Sequence, residues 1–472
     1  MAEPALTEEN VRHLLRRTEF VDRQTRVDAL MGLGSIAAAV DDVLIGEPVV
    51  PSVTFSASGD WQRGVELGNH WFDQMAHDAE RPFSERMALF WHGHFCSDLG
   101  KVGSAVLMRE QIDLWRREGL GNVRSLARTM STQVAMIRYL DNNQNRATSP
   151  NQNFARELME LFLLGVGNYT EADVEASTAA WTGHSDQWND EVSPYRWRPE
   201  WHDFSPKQYL GRTINTGLDG RDHGPETIDV VLGNGIVPAG ATNVANRGRP
   251  TRDVAAEFLS RKLWTWFATD GPPPARVLST MAEALVAGDF AVRPWVRSML
   301  THEDFYTDQV KAGLVRTPVE FAVALMYATG KRAAEVNFWW LMDSMGQRLL
   351  YPPNVSGWRP NGYWVNASAM EGRARAAQHF FWNATRTYWQ SGGAGVISLA
   401  HGQLTNQEVI ANQAGVPTMS NATFIQRLEQ YTGIRLADPS RAEILRYADG
   451  ASVWERNDAL LLVLLAPEMH VA

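Results

Sequence analysis

Apolar residues recur at helical spacing along almost all of this 472-residue chain, and that periodicity limits it to a mostly α fold. Thr7 precedes Glu8 and Glu9 and a face of Val11, Leu14 and Leu15, which reads as an N-capped helix. A second helix is expected over residues 27–44, containing Gly32 and Gly34 and ended by Pro48 and Pro51. Asp60 reads as the N-cap of a helix carrying Trp61, Leu67, Trp71 and Phe72. Another helix, over residues 84–91, leads into His92-Gly93-His94-Phe95. Amphipathic helices are expected at 111–118 and 123–130, and a longer one at 151–164, closed by Gly165 and Gly167. Thr170 with Asp173 forms a capping-box variant for the helix that ends near Trp181 and Gly183.

The pattern then breaks. Residues 187–220 change character, and within them 192–204 alternate Trp, Pro, Tyr and Arg with polar residues, which reads as a short hairpin or extended lobe. Residues 233–250 are rich in Gly, Asn, Ala and Pro and read as a loop. Helices resume at 251–267, 275–287, 292–300 and 318–329. A Pro-, Gly- and Trp-rich stretch at 346–366 is expected to be an ordered loop, followed by a helix over 368–383. The tail from Asn406 is expected to alternate short helices and loops. The fold expected is therefore a multi-helical globular array with a small irregular or β-hairpin lobe and long ordered loops. Its regions are 1–186, 187–250 and 251–472, expected to share one fold.

Composition narrows the function classes. A net charge of −10 opposes a nucleic-acid partner, which needs a basic face for phosphates. The single cysteine, Cys96, excludes an internal disulfide and a four-thiolate metal site within the chain. No basic leader with an apolar run opens the chain, and 459–466 is too short an apolar run to cross a bilayer. A cytoplasmic protein without a membrane partner is the expectation; the oligomeric state is open. The 18 tryptophans are unusually many. They serve either as core bulk, each indole N–H finding a partner, or as walls of a groove for a sugar or other flat ligand.

Several stretches carry a resemblance. They are His13-Leu14-Leu15-Arg16-Arg17, Phe90-Trp91-His92-Gly93-His94-Phe95 and the run from Asn153 through Arg156-Glu157-Leu158-Met159-Glu160 to Phe162. His202-Asp203 with Lys207, Arg261-Lys262-Leu263-Trp264 and Pro318-Val319-Glu320-Phe321 follow. Met345-Gly346-Gln347, Pro352 to Trp358 and Trp364-Val365-Asn366 complete the set. In this order, and over nearly the whole chain, they resemble the bacterial family known as domain of unknown function 1800. That resemblance implies no established reaction. Two positions depart from the family pattern: His184 stands where Trp is usual, and His202-Asp203-Phe204-Ser205-Pro206-Lys207 replaces His-Asp-Pro-Gly-Pro-Lys.

The residues themselves suggest chemistry. His92 and His94 at i, i+2 point the same way if their segment is extended or ends a helix, which suits two imidazoles on one metal; the alternative is a pair of hydrogen-bonded structural histidines. Glu157 and Glu160 at i, i+3 share a helix face, as a ligand and a general base, or make ion pairs instead. His202 is a candidate ligand, with Asp203 as ligand or orienting group and Lys207 stabilising an anion; the alternative is a turn stapled by Asp203. His184 is a further candidate ligand, or a histidine favoured by a helix end. His223 and Glu226 carry a weaker signal, and Trp358, Trp364, Asn366 and Arg373 are candidates for a pocket wall. The expectation is a metal-dependent enzyme with zinc, iron, manganese or copper. It is either a hydrolase of a saccharide, ester or phosphoester, or an oxygen-using oxidoreductase. The alternatives are a non-catalytic polysaccharide- or protein-binding module and a metal-free carboxylate enzyme acting on sugars.

Overall fold

In the computed structural model, residues 3–46, 49–187, 194–217, 219–359, 361–390, 396–405, 419–451 and 455–472 are described. The protein is mostly α-helical, with three two-stranded antiparallel sheets among these residues. Pro48, part of the lobe at 188–193 and the tail at 406–418 lie outside the described residues.

The first helix, Glu8–Glu19, starts where the sequence places it: the Thr7 side chain accepts from the Asn10 amide at 3.2 Å. The single helix expected over 27–44 is two, Gln24–Met31 and Ile36–Leu44. Gly34 adopts φ +83°, which reverses the chain, and Ser35 caps the second helix by accepting from the Ala38 amide. Asp60 is the first residue of its helix rather than its cap, and its carboxylate takes the Ala105 amide instead.

Two further differences shape the candidate site. The helix before the His-x-His motif does not stop at Trp91: Phe83–His94 is continuous and includes both histidines. The helix expected over 151–164 is an α-helix only at Asn153–Glu157 and widens into a π-helix at Leu158–Leu163. Such insertions are frequent at functional sites.

The lobe forms two hairpins, where the alternation over 192–204 suggests a single short hairpin or an extended lobe. His184–Asp186 pairs with Tyr195–Trp197, and Lys207–Tyr209 with Arg212–Ile214. Among residues 346–359 and 361–366 the chain is irregular apart from a 3₁₀ turn at Asn361–Val365. One hydrophobic cluster runs from Val11 through Trp71, Trp181 and Trp264 to Met469. Tryptophan supplies core bulk here, but only some indoles find partners. Trp91, Trp181 and Trp295 donate to Gly119, Thr227 and Ser260, whereas Trp71, Trp115, Trp264 and Trp364 have buried N–H groups without a partner among the described residues. No helix among the described residues is long and apolar enough to cross a membrane.

Candidate functional site

Because His92 and His94 both lie on a helix, their side chains leave it about 200° apart. His92 is fully buried, its ring 5.6, 5.3 and 5.1 Å from those of Trp71, Trp115 and Trp358. Its Nε2 accepts the Leu350 amide at 3.1 Å, so the proton sits on Nδ1, which is buried without a partner among the described residues. Burial lowers its pKa to about 3 and keeps the ring neutral. His94 faces elsewhere. Its Nε2 donates to the Phe162 carbonyl at 2.9 Å, and its Nδ1 lies 3.5 Å from the Lys262 ammonium. Burial, then the Lys262 charge, holds its pKa well below the usual value.

The two histidines therefore join three segments. His92 ties the helix to the loop at Leu350, and His94 ties it to the π-helix. Gly357, at φ +76°, brings that loop against the same helix end: a Cβ there would lie 2.4 Å from the Gly93 carbonyl oxygen and 3.1 Å from Cys96 Sγ. Cys96 is buried, donates to the His92 and Gly93 carbonyls, and has its pKa raised to about 12 by burial, so it is an inert thiol.

Glu157 and Glu160 flank the start of the π-helix, both half-buried. Glu157 Oε2 is buried without a partner among the described residues. Burial first, then the Glu160 charge, raises its pKa, with Arg156 opposing. Glu160 accepts from the Tyr169 hydroxyl at 2.7 Å, and Arg156 is held by Glu171 at 2.7 Å. One carboxyl thus favours its proton while the other receives a hydrogen bond. Lys262, on the separate helix Thr251–Phe267, donates to the Leu161 carbonyl at 2.7 Å. Burial lowers its pKa to about 8. Sequence reading gave Lys262 no role. The available signal was a lysine set among Phe258, Leu259 and Trp266, its i−4, i−3 and i+4 neighbours.

The lobe gathers a different set. His202 uses both nitrogens: Nδ1 donates to the Thr182 carbonyl at 2.7 Å, and Nε2 accepts from His223 Nδ1 at 2.9 Å. His184 Nδ1 lies 3.0 Å from the Tyr195 hydroxyl, its ring packs on Trp181 and Trp197, and its Nε2 is buried without a partner among the described residues. Burial lowers the His184 pKa to about 3, with His202 adding to it. Asp203 pairs with Lys207 at 2.8 Å and accepts the Ser205 amide at 2.9 Å. Burial pushes its pKa up, but the bonds from Lys207 and Ser205 outweigh it and bring it to about 2. This is the stapled turn considered from the sequence, with the Lys207 charge already matched. Trp358 and Trp364 line a small cavity with Gln347 and Glu320. Arg373 donates to the Arg316 carbonyl, and Asn366 bonds its own loop at Tyr363.

The structure thus places the expected metal ligands in three separate hydrogen-bonded settings. His92 and His94 do not share a target, and Glu160 is bonded by Tyr169 while His202 bonds to Thr182 and His223. No group of three or more His, Cys, Asp or Glu side chains among the described residues is arranged to hold a metal ion, so the set His92, His94, Glu157, His184, His202 and Asp203 does not fit one.

No curated protein and no solved structure matches the chain significantly. A family model matches residues 13–471, from the histidine of the first motif to the penultimate residue. The packing of the His92–Phe95, Arg156–Phe162 and Pro353–Trp358 motifs against one another is consistent with that full-length match, and the chain belongs to the family described as protein of unknown function (DUF1800).

Proposed function

We propose that the chain is a hydrolytic enzyme whose acid–base groups are Glu157 and Glu160, acting on a saccharide, ester or phosphoester. The observation that carries this reading is the contrast between the two carboxyls. Glu157 has a buried, unpartnered oxygen and a raised pKa, while Glu160 is bonded by Tyr169. A raised pKa suits Glu157 to the role of acid, and the Tyr169 hydrogen bond orients Glu160 as its counterpart. Glu157 would protonate the leaving oxygen, and Glu160 would take a proton from the attacking water. Lys207 has no place in this scheme, because its charge is matched by Asp203.

The test is hydrolysis of chromogenic glycosides, esters and phosphoesters by the full chain, with and without added zinc, iron, manganese or copper. Glu157→Gln and Glu160→Gln should each lower kcat about 10²–10⁴-fold on the responsive substrate. Turnover unchanged in both variants would refute the assignment, as would no turnover of any class.

A second reading, a saccharide- or protein-binding module, is favoured by the exposure of Trp340 and Trp382, at 56% and 53%. His379 stacks edge-on against Trp340, 5.8 Å away. This reading expects ligand-induced quenching of tryptophan fluorescence that survives Glu157→Gln and is lost in Trp340→Ala/Trp382→Ala.

A further inference from the structure

Several arginine side chains lie inside the protein, and among them Arg17, Arg86, Arg316 and Arg373 are 0%, 1%, 5% and 0% exposed. They come from the Glu8–Glu19 helix, the Phe83–His94 helix, the residue before the Thr317 cap, and the Ala367–Gln390 helix. Among the described residues Glu320, paired with Arg86, is the one carboxylate bonded to any of them. The others bond mostly to neutral oxygens: Arg17 to the Val310 carbonyl at 2.6 Å, Arg316 to that of Met469 at 3.0 Å, and Arg373 to that of Arg316 at 2.5 Å. His470, 3.4 Å from Arg373, is kept neutral: burial, then Arg373 and Arg316, lower its pKa to about 4.

Arg17 Nε and Nη1, and the Nε atoms of Arg86, Arg316 and Arg373, are buried donors without a partner among the described residues. The guanidinium groups also repel one another, Arg86 feeling Arg17 and Arg316, and Arg316 feeling Arg373. An uncompensated buried charge is among the most costly features a fold can carry. Like charges that outnumber the carboxylates bonded to them, with Asp22 opposing them only at Arg316, therefore call for a further anion.

A route for one exists. Arg316 lines a cavity of about 370 Å³ together with Arg16, Asp22, Tyr327, Arg435 and Glu468. That is the size of a small-molecule site. Asp22 is already taken by Arg12 and Arg16, at 3.2 and 3.4 Å. Glu468 Oε1 accepts the Ala437 amide and the Ser440 hydroxyl, while its Oε2 is buried without a partner among the described residues. The cavity thus offers an unmatched guanidinium and one free acceptor.

We propose that this cavity binds a small hydroxylated molecule carrying a phosphate or sulfate group. The oxyanion sits on Arg316 and Arg16, in the field of Arg17 and Arg373, and a ligand hydroxyl donates to Glu468. The planar guanidinium fork matches such an oxyanion through paired N–H donors. The site lies apart from the Glu157–Glu160 pair and does not rest on the function proposed for it.

The test uses the full chain in a phosphate-free chloride buffer, with inorganic phosphate and inorganic sulfate as probes. Calorimetry should show Tm rising by about 3 °C when either probe reaches 100 times its dissociation constant. Sodium chloride and sodium acetate at equal ionic strength should not reproduce the rise. Arg316→Gln should abolish it. Should that variant fail to fold, the half-buried Arg16→Gln at the cavity wall should still weaken the rise at least tenfold in probe concentration. Arg17→Met carries a sign test: without probe it should melt above the wild type, because an unmatched charge is gone, and it should gain less from phosphate. The same rise with chloride or acetate, a rise unchanged in both Arg316→Gln and Arg16→Gln, or a lower Tm for Arg17→Met without probe would overturn the proposal.

Discussion

Gly357→Ala tests whether the His92–Phe95 motif is a packing joint. Two costs add at this position. The backbone stands at φ +76°, where an L side chain costs about 1–2 kcal/mol. The new Cβ would also meet the Gly93 carbonyl oxygen at 2.4 Å, a distance that real Cβ atoms essentially never show. That oxygen cannot yield easily. It belongs to a helix turn whose flanking residues, His92 and His94, are fixed to Leu350 and Phe162. Forcing atoms into such a site costs about 1–3 kcal/mol more. The expected loss is about 2–5 kcal/mol. In a chain of this length each kcal/mol lowers Tm by about 1 °C, so urea unfolding is the more sensitive assay. Two comparison variants separate the costs. Gly34→Ala shares the positive φ, at +83°, but meets nothing within 4 Å, so it should lose about 1 kcal/mol. Gly271→Ala has neither problem and should be neutral or slightly stabilising. A Gly357→Ala loss equal to that of Gly34→Ala would refute the close approach as the reason for this glycine.

The titrating groups near the π-helix give pH signatures. Glu157 holds its proton more tightly in the fold than its ordinary value of 4.5, so stability falls as pH rises through the window above 4.5; Glu157→Gln should match the wild type below that window and exceed it above, by urea unfolding. Lys262 runs the other way: its folded pKa of about 8 against 10.5 makes stability rise with pH between those values, and Lys262→Met should flatten that rise. His94→Ala removes a buried ring and leaves the Phe162 carbonyl unbonded, so a loss of about 2–4 kcal/mol is expected in the same assay. After incubation with zinc, iron, manganese or copper, elemental analysis should find equal metal in the wild type and in folded His92→Ala/His94→Ala. Loss of about one equivalent in the variant would return the pair to a ligand role.

The fold class and much of the helix order were legible because burial imposes a 3.6-residue period, and local capping chemistry marks the ends. Thr7 and Thr170 were read correctly as caps for this reason. The alternation over 192–204 indicated a hairpin or extended lobe but not the second hairpin at 207–214, and the irregular loop at 346–366 followed from its Gly and Pro content. The split at Gly34 was missed because an isolated glycine is compatible with both a tolerated helix residue and a reversal.

The candidate site was less legible, and the reason is geometric. Whether His92 and His94 share a target depends on whether the helix ends at residue 91 or at residue 94. Helix ends blur by a residue or two in any sequence reading. The extension to residue 94 turns a ligand-like pair into two separate struts. Likewise, the sequence presents Glu157 and Glu160 as equals. What distinguishes them is tertiary: burial of one oxygen, and a hydroxyl that Tyr169 brings from beyond the π-helix. Arginines 17, 86, 316 and 373 are spread over some 350 residues and carry no local pattern. The sequence alone determined which segments are helical and which chemical groups are available. Only the packing of those segments decided which groups meet and which charges lose their water, because both depend on residues far apart in the chain.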